Sequence, residues 1–335
     1  MILEREYAFF SSNCSLKKER GLNQRFDYYD DFMPKKELHR TLYQKDPEQA
    51  TESTLSWLGK NRGNRFFLWV NYMDPHVPYT PPPPFNRSFV APQQLPVRNL
   101  PFSKEDNAPH SISACQQLGD ANSPDYYVCQ HNGKIQFTDY WAGELLRKIK
   151  TSGLLENTLI IVAPDHGESL GKHDYYSTYI MTHEEQAAIP LLLRYPRLFP
   201  EGKVDGARVA TFDLLPTILE SCWIPFHNKT EGESLFSSTK QKDDKSIIVF
   251  SEDAKRISVY QGVWELVALE KQPTELFDLE SDPLEKRNAL NTADSEIVKR
   301  LYSVASKYFE IQNSEKESDL TEKDKKILRA LGYIN

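Results

Sequence analysis

Three apolar runs constrain this chain more than any other feature. "RFFLWVNY" (65–72), "TLIIVA" (158–163) and "IPLLLRYP" (189–196) are dense in aliphatic and aromatic residues and lack the polar alternation of a half-solvated strand. They predict central strands covered on both faces, and therefore a sheet with helices packed on it. Helical patterns lie between and after them. In "GKIQFTDYWAGELLRKIKTSG", Ile135, Thr138, Ala142, Leu145 and Ile149 recur at spacings of three and four, and Gly153 is placed to stop the helix. "FDLLPTILESC" reads as a second helix with Asp213 near its start, after a loop punctuated by Pro196 and Pro200. The alternation is that of an α/β protein.

From about residue 246 the texture changes. "SIIVFSE", "RISVYQGVWELVALE" and "TELFDLE" are shorter strand-like pieces separated by polar turns, and a charged helical tail follows. The expected organisation is an α/β domain over 1–245 and a small antiparallel sheet with a terminal helix over 246–335. "PYTPPPPF" (78–85) is a short stiff loop, and no internal repeat is present.

Composition narrows the function classes. A chain of 335 residues with 39% hydrophobic content can bury a sizeable core. Its net charge of −7 arises from 48 acidic and 41 basic residues without a long block of either sign, which excludes the usual basic footprint for nucleic acid and leaves small molecules or glycans as partners. No apolar run reaches the ~18 residues of a membrane span. "MILEREYAFF" carries charges where a signal peptide would have its apolar core, so no targeting segment is read. Cys14, Cys115, Cys129 and Cys222 form no CxxC pair, which argues against a zinc cluster or a thioredoxin-like centre. Cys115 and Cys129 flank a polar stretch that a disulfide could close in an oxidising compartment. Asn86 ("NRS") and Asn228 ("NKT") are glycosylation sequons.

The chemistry gathers where apolar runs end. "LWVNYMDPHVPY" supplies Asp74 and His76, and "LIIVAPDHGE" supplies Asp165, His166 and Glu168. Taken alone, the second cluster could be a polar turn. Two such clusters are better explained by a site, because ligands of open α/β sheets gather at the carboxyl ends of strands. The two are expected on one rim, within about 10 Å. A carboxylate followed by an imidazole can ligate a divalent cation, which in turn stabilises an anionic substrate oxygen.

These stretches, in this order with "GLNQRFDYYDD", "YWAGELLRKIKTSGLLENTLIIVAPDHGESLGKH", "IPLLLRYP", "DLLPTILE", "ELFDLESDPLEKRNAL" and "ILRALGYIN", resemble the sulfatase family of the alkaline-phosphatase-like superfamily. The resemblance covers nearly the whole chain. It implies a three-layer αβα sandwich, incomplete at its N-terminus, with a small C-terminal antiparallel sheet and helix. It also implies that Asp165 and His166 are metal ligands, with calcium as the metal, and that His76 contacts the sulfate group or the leaving oxygen. The implied substrate is a sulfated small molecule or glycan, and the implied compartment is secreted, lysosomal or periplasmic.

Two departures from the family pattern bear on activity. Family members begin with a strand ending in paired aspartates, followed by a C/S-x-P-x-R segment whose cysteine or serine becomes formylglycine. Here Cys14 is followed by "SLKK", Cys115 by "QQLG", Cys129 by "QHNG" and Cys222 by "WIPF", so none fits. "EYAFFSSN" reads as a strand lying downstream of that segment, and a missing N-terminal segment or a partner is expected to complete the fold. The family also places a basic residue a short way past "DHG", where this chain has Ser177, Thr178 and Tyr179. Lys172, His173 and His183 are the candidates to replace it in substrate binding. The expected function is metal-assisted hydrolysis of sulfate esters, with this chain inert by itself. The alternatives are a non-catalytic glycan- or anion-binding protein, or a phosphoester or phosphonate hydrolase on the same fold.

Overall fold

The computed structural model describes residues 5–36, 42–89, 99–104, 108–176, 181–226, 230–236, 245–251 and 255–314. They form two compact units. One holds the described residues up to 158 together with 173–176, and the other holds 159–172 and those from 181 to 314.

The first unit is organised on a parallel sheet of order β2-β1-β3, with β1 at Arg5–Phe10, β2 at Tyr28–Asp30 and β3 at Arg65–Val70. Ala8 pairs with Leu68 and Phe10 with Val70, so alternation sends Ala8, Phe10, Phe66, Leu68 and Val70 to one face. Helices α1 (Pro47–Asn61) and α2 (Pro124–Thr151) cover that face through Trp57, Leu58, Leu145 and Ile149. Helix α1, which hydrophobic spacing did not disclose, is marked instead at its start. Asp46 and Gln49 cap each other's backbone amides, and Pro47 takes the first helical position, where no intrahelical donor is needed.

The opposite sheet face departs from the expectation of double coverage. Phe9 is buried beneath Phe26 and stacked on Tyr29, but Tyr7 and Phe67 are exposed and Trp69 is 53% exposed. The apolarity of the 65–72 run is the sum of two faces, of which α1 and α2 cover one.

Helix α2 is the one predicted, extended towards its N-terminus. It ends where Gly153, in the left-handed region at φ 72°, donates its amide to the Lys150 carbonyl. Leu145 and Ile149 face inward as expected, but Ile135 is exposed and His131, Lys134 and Phe137 are buried in its place. The cause is a change of partner along the helix. Its C-terminal half meets the sheet, and its N-terminal half meets the loop that follows β3.

In the second unit, β4 (Ile160–Val162) pairs antiparallel with β5 (Leu192–Arg194). Val162 is exposed and Leu192 is 63% exposed, so these two runs are also not enclosed on both faces. Each strand is three residues long and, among the described residues, each has a single hydrogen-bonded neighbour. A short helix, α3 (Glu184–Ala187), lies between the two strands, and a second, α4 (Leu214–Ser221), follows them. Asp213, just before α4, is buried and accepts from the amides of Ala210 and Glu233 and from Lys245 Nζ. The texture change near 246 marks a real sheet. Strands β6 (Ile247–Phe250), β7 (Arg256–Gln261), β8 (Trp264–Leu269) and β9 (Gln272–Asp278) run antiparallel in that order. Helix α5 (Ser295–Ser314) lays Leu301, Ala305 and Phe309 on Ile257, Val259, Leu266, Ala268 and Leu276. Residues 327–335, "ILRALGYIN", lie outside the described residues. No helix among the described residues is long and apolar enough to cross a membrane.

Candidate functional site

The loop that leaves β3 carries Asp74 and His76. His76 is half-buried, and its Nδ1 lies 2.7 Å from the Val77 carbonyl oxygen. A carbonyl only accepts, so Nδ1 carries a proton. Asp74 is buried and ion-pairs through Oδ1 with Lys134 Nζ at 2.8 Å. Lys134 also donates to the carbonyls of His76 at 2.8 Å and Pro78 at 3.3 Å.

The rest of this loop is seated on the same helix. Tyr79 meets His131 edge-on at 4.9 Å, Phe85 packs on Phe137 at 5.2 Å, and Gln130 Nε2 donates to the Asn86 carbonyl. Gly133 allows the approach, since a Cβ there would stand 2.6 Å from the Phe85 carbonyl oxygen. His131 is held neutral, its pKa lowered to about 4 by burial and then by the Lys134 charge. Lys134 had no motif to announce it. The available signal was a lysine three residues from both His131 and Phe137, inside the stripe a helix turns inward.

The second cluster follows β4. Asp165 is exposed and accepts the His166 amide on Oδ1 at 3.0 Å, while His166 Nδ1 lies 2.6 Å from the Gly167 carbonyl oxygen. That bond again fixes Nδ1 as the donor and presents the Nε2 lone pair, the arrangement found in metal-ligating imidazoles. Gly167 seats the backbone of "DHG". Its amide donates to the Gln186 carbonyl at 2.7 Å, and Ser169 Oγ accepts from Gln186 Nε2 at 2.8 Å. The donor chemistry of Asp165 and His166 therefore fits part of a metal site. Among the described residues no group of three or more His, Cys, Asp or Glu could hold a metal ion. His76 belongs to the first unit, and Asp165 and His166 belong to the second.

Two of the basic residues proposed for substrate binding are occupied by carboxylates. Lys172 Nζ lies 2.7 Å from Glu285 Oε2 and donates to the Pro283 carbonyl. His183 is fully buried, with Nε2 3.1 Å from Glu275 Oε2 and its ring against Phe277. His173 is half-buried and falls in the first unit, and residues 177–179 lie outside the described residues. Glu285 also accepts the Glu184 amide at 2.8 Å, which ties the segment holding Gly167 to the turn after β9. Beside it Glu265, on β8 and fully buried, accepts from Tyr260 and Ser258. Burial first, and then Glu285, push the Glu265 carboxyl well above the ordinary carboxylate range. Cys129 is a free thiol on α2 whose pKa is raised by burial, and the side chain of Cys115 lies outside what the structure describes. Asn86 has its Oδ1 buried, and Asn228 lies outside the described residues.

Comparison with known proteins identifies the family. The family model described as Sulfatase matches residues 5–222, and that described as N-sulphoglucosamine sulphohydrolase, C-terminal, matches residues 171–310. A sulfatase of Formosa agariphila is 26% identical over 264 residues, 72% of this chain and 50% of its own. An arylsulfatase of Clostridium perfringens is 26% identical over 242 residues, 68% of this chain and 50% of its own. The chain thus spans about half the length of these relatives. Among solved structures, one in complex with its substrate D-glucosamine-2-N,6-O-disulfate superposes with a TM-score of 0.71 at 16% identity, covering 94% of this chain and 82% of that one. A phosphonate monoester hydrolase of Agrobacterium radiobacter gives 0.66 at 17% identity, covering 95% and 81%. The structural likeness shows the alkaline-phosphatase-like α/β fold. With more than half its residues matched by the Sulfatase model, the chain belongs to the sulfatase family.

Proposed function

We propose that this chain supplies the metal-binding and proton-donating residues of a sulfate ester hydrolase acting on a sulfated small molecule or glycan. The observation that carries the reading is the seat of Gly167, which orients Asp165 and His166 as adjacent donors with the imidazole Nε2 presented. A divalent cation, calcium in this reading, would neutralise the anionic oxygens of the ester when bound. His76 acts on the leaving side. As the sulfur–oxygen bond breaks, Nε2–H gives its proton to the departing alcohol oxygen, while the Val77 carbonyl holds Nδ1–H and keeps the ring oriented. In this reading Lys172, His173 and His183 remain the residues that would meet the charge of the substrate, with Lys172 and His183 each also held by a carboxylate.

The family nucleophile, a formylglycine, has no C/S-x-P-x-R precursor in this sequence. In other enzymes loss of the nucleophile costs on the order of 10⁶ in turnover, so the chain alone is proposed to be inert. A second reading, phosphonate monoester hydrolysis, is favoured by the structural likeness to such an enzyme. The deciding experiment assays the chain, alone and fused behind a family N-terminal segment carrying C/S-x-P-x-R, against an aryl sulfate and an aryl phosphonate monoester. Sulfate ester cleavage by the fusion, lost in Asp165→Ala and His76→Ala, supports the main reading. Preference for the phosphonate selects the second, and anion binding without turnover selects a non-catalytic protein.

A further inference from the structure

Lys134 is a charged side chain where a helix should be apolar. It is 2% exposed, on a stripe with Tyr127, Gln130, His131 and Phe137. Burying an ammonium is costly unless each of its three N–H groups finds an acceptor and its charge a counter-ion. Both conditions are met by one loop. Asp74 Oδ1 at 2.8 Å supplies the counter-charge, and the carbonyls of His76 at 2.8 Å and Pro78 at 3.3 Å take the remaining donors.

These acceptors bracket the residue whose carbonyl fixes the His76 ring. Val77 lies between the two clamped carbonyls, is itself buried, and accepts from His76 Nδ1 at 2.7 Å. The backbone at 76–78 can therefore turn only by breaking a bond to a desolvated cation. With its three donors engaged, Lys134 has none left for a substrate.

We infer that Lys134 is a positioning residue, which clamps the 74–78 backbone on α2 and thereby sets the orientation and tautomer of His76. The inference rests on the reading of His76 as the proton donor, but its test does not depend on turnover. Ring nitrogens of His76 are followed by ¹H–¹⁵N NMR in the full chain, assigned by their loss in His76→Gln. Lys134→Met is made together with Asp74→Asn, so that no lone carboxylate is buried, because breaking one side of a buried pair is strongly destabilising.

The expected result is loss of the single Nδ1–H pattern in the double variant, with the pattern retained in Gln130→Ala, which removes a different bond between α2 and the same loop. A folded double variant that keeps the wild-type ring pattern overturns the inference. If the double variant fails to fold, Lys134→Arg keeps the charge but moves the donors, and an unchanged ring pattern there overturns it equally. A changed ring pattern in a fusion that cleaves no sulfate ester would sink the sulfatase reading and leave the positioning role standing.

Discussion

Gly167 and Glu185 lie so close that a methyl group on the glycine would stand 2.2 Å from the Glu185 carbonyl oxygen. Neither backbone can give way cheaply, because the Gly167 amide is bonded to Gln186 and the Glu184 amide to Glu285. Gly167→Ala is therefore expected to destabilise the second unit by at least about 1–3 kcal/mol, the usual range for overpacking. Denaturant titration measures it. Gly143→Ala is the control, since its Cβ meets nothing within 4 Å in the middle of α2 and should stabilise by up to about 1 kcal/mol. An unshifted midpoint for Gly167→Ala would show that the "DHG" loop does not need this seat.

Glu265 gives the second unit a pH signature of the less usual sign. Its carboxyl is driven above its ordinary value of 4.5 by burial and by Glu285, so the folded state binds a proton that the unfolded state gives up. That contribution is complete below about pH 4.5 and is lost as pH rises through the folded-state value, at a slope of up to about 1.4 kcal/mol per pH unit. Glu265→Gln keeps an acceptor for Tyr260 and Ser258 and a donor towards Glu285, and it should flatten this slope. Unfolding measured from pH 5 to 9 decides it, and equal slopes for the two proteins would mean that Glu265 is ionised in the fold.

Calcium should bind this chain weakly. Calcium takes 6–8 oxygen ligands, whereas Asp165 contributes carboxylate oxygens and His166 one nitrogen. A dissociation constant no tighter than about 10⁻⁴ M is expected by calorimetric titration, the regime of sparsely liganded sites. Micromolar binding abolished by Asp165→Ala would reveal ligands beyond the pair described.

What the sequence disclosed follows the reach of each signal. The strand pattern of β3, the helix pattern ending at Gly153 and the turn-rich change near 246 are local, and each marked a real element. Side-chain partners across the chain are not local. Nothing near Lys172 or His183 in sequence reports Glu285 or Glu275, which lie about a hundred residues on, so two side chains read as available turn out to be held by carboxylates. Lys134 was hidden for the opposite reason: a helical pattern is read from its apolar members, and the polar residues in the stripe go uncounted. The face of a strand that receives no helix is likewise invisible to composition.

That uncovered face leads to the last prediction. Tyr7 on β1 and Phe67 and Trp69 on β3 are exposed on the side away from α1 and α2, forming an aromatic surface around the buried ring of Phe9. Aromatic side chains bury 150–250 Å² each when enclosed, and at about 25 cal/mol per Å² covering the exposed half of Trp69 would contribute roughly 2 kcal/mol. A face of this kind promotes association with another chain or with a segment that covers it. The isolated chain should therefore self-associate or bind a hydrophobic dye, and Trp69→Thr with Phe67→Thr should reduce both while leaving the α1–α2 side of the sheet packed. Light scattering and dye fluorescence measure this. A wild-type chain that stays monomeric at high concentration and binds no dye would show that Trp69 and its neighbours tolerate water, and that the sheet needs no further cover.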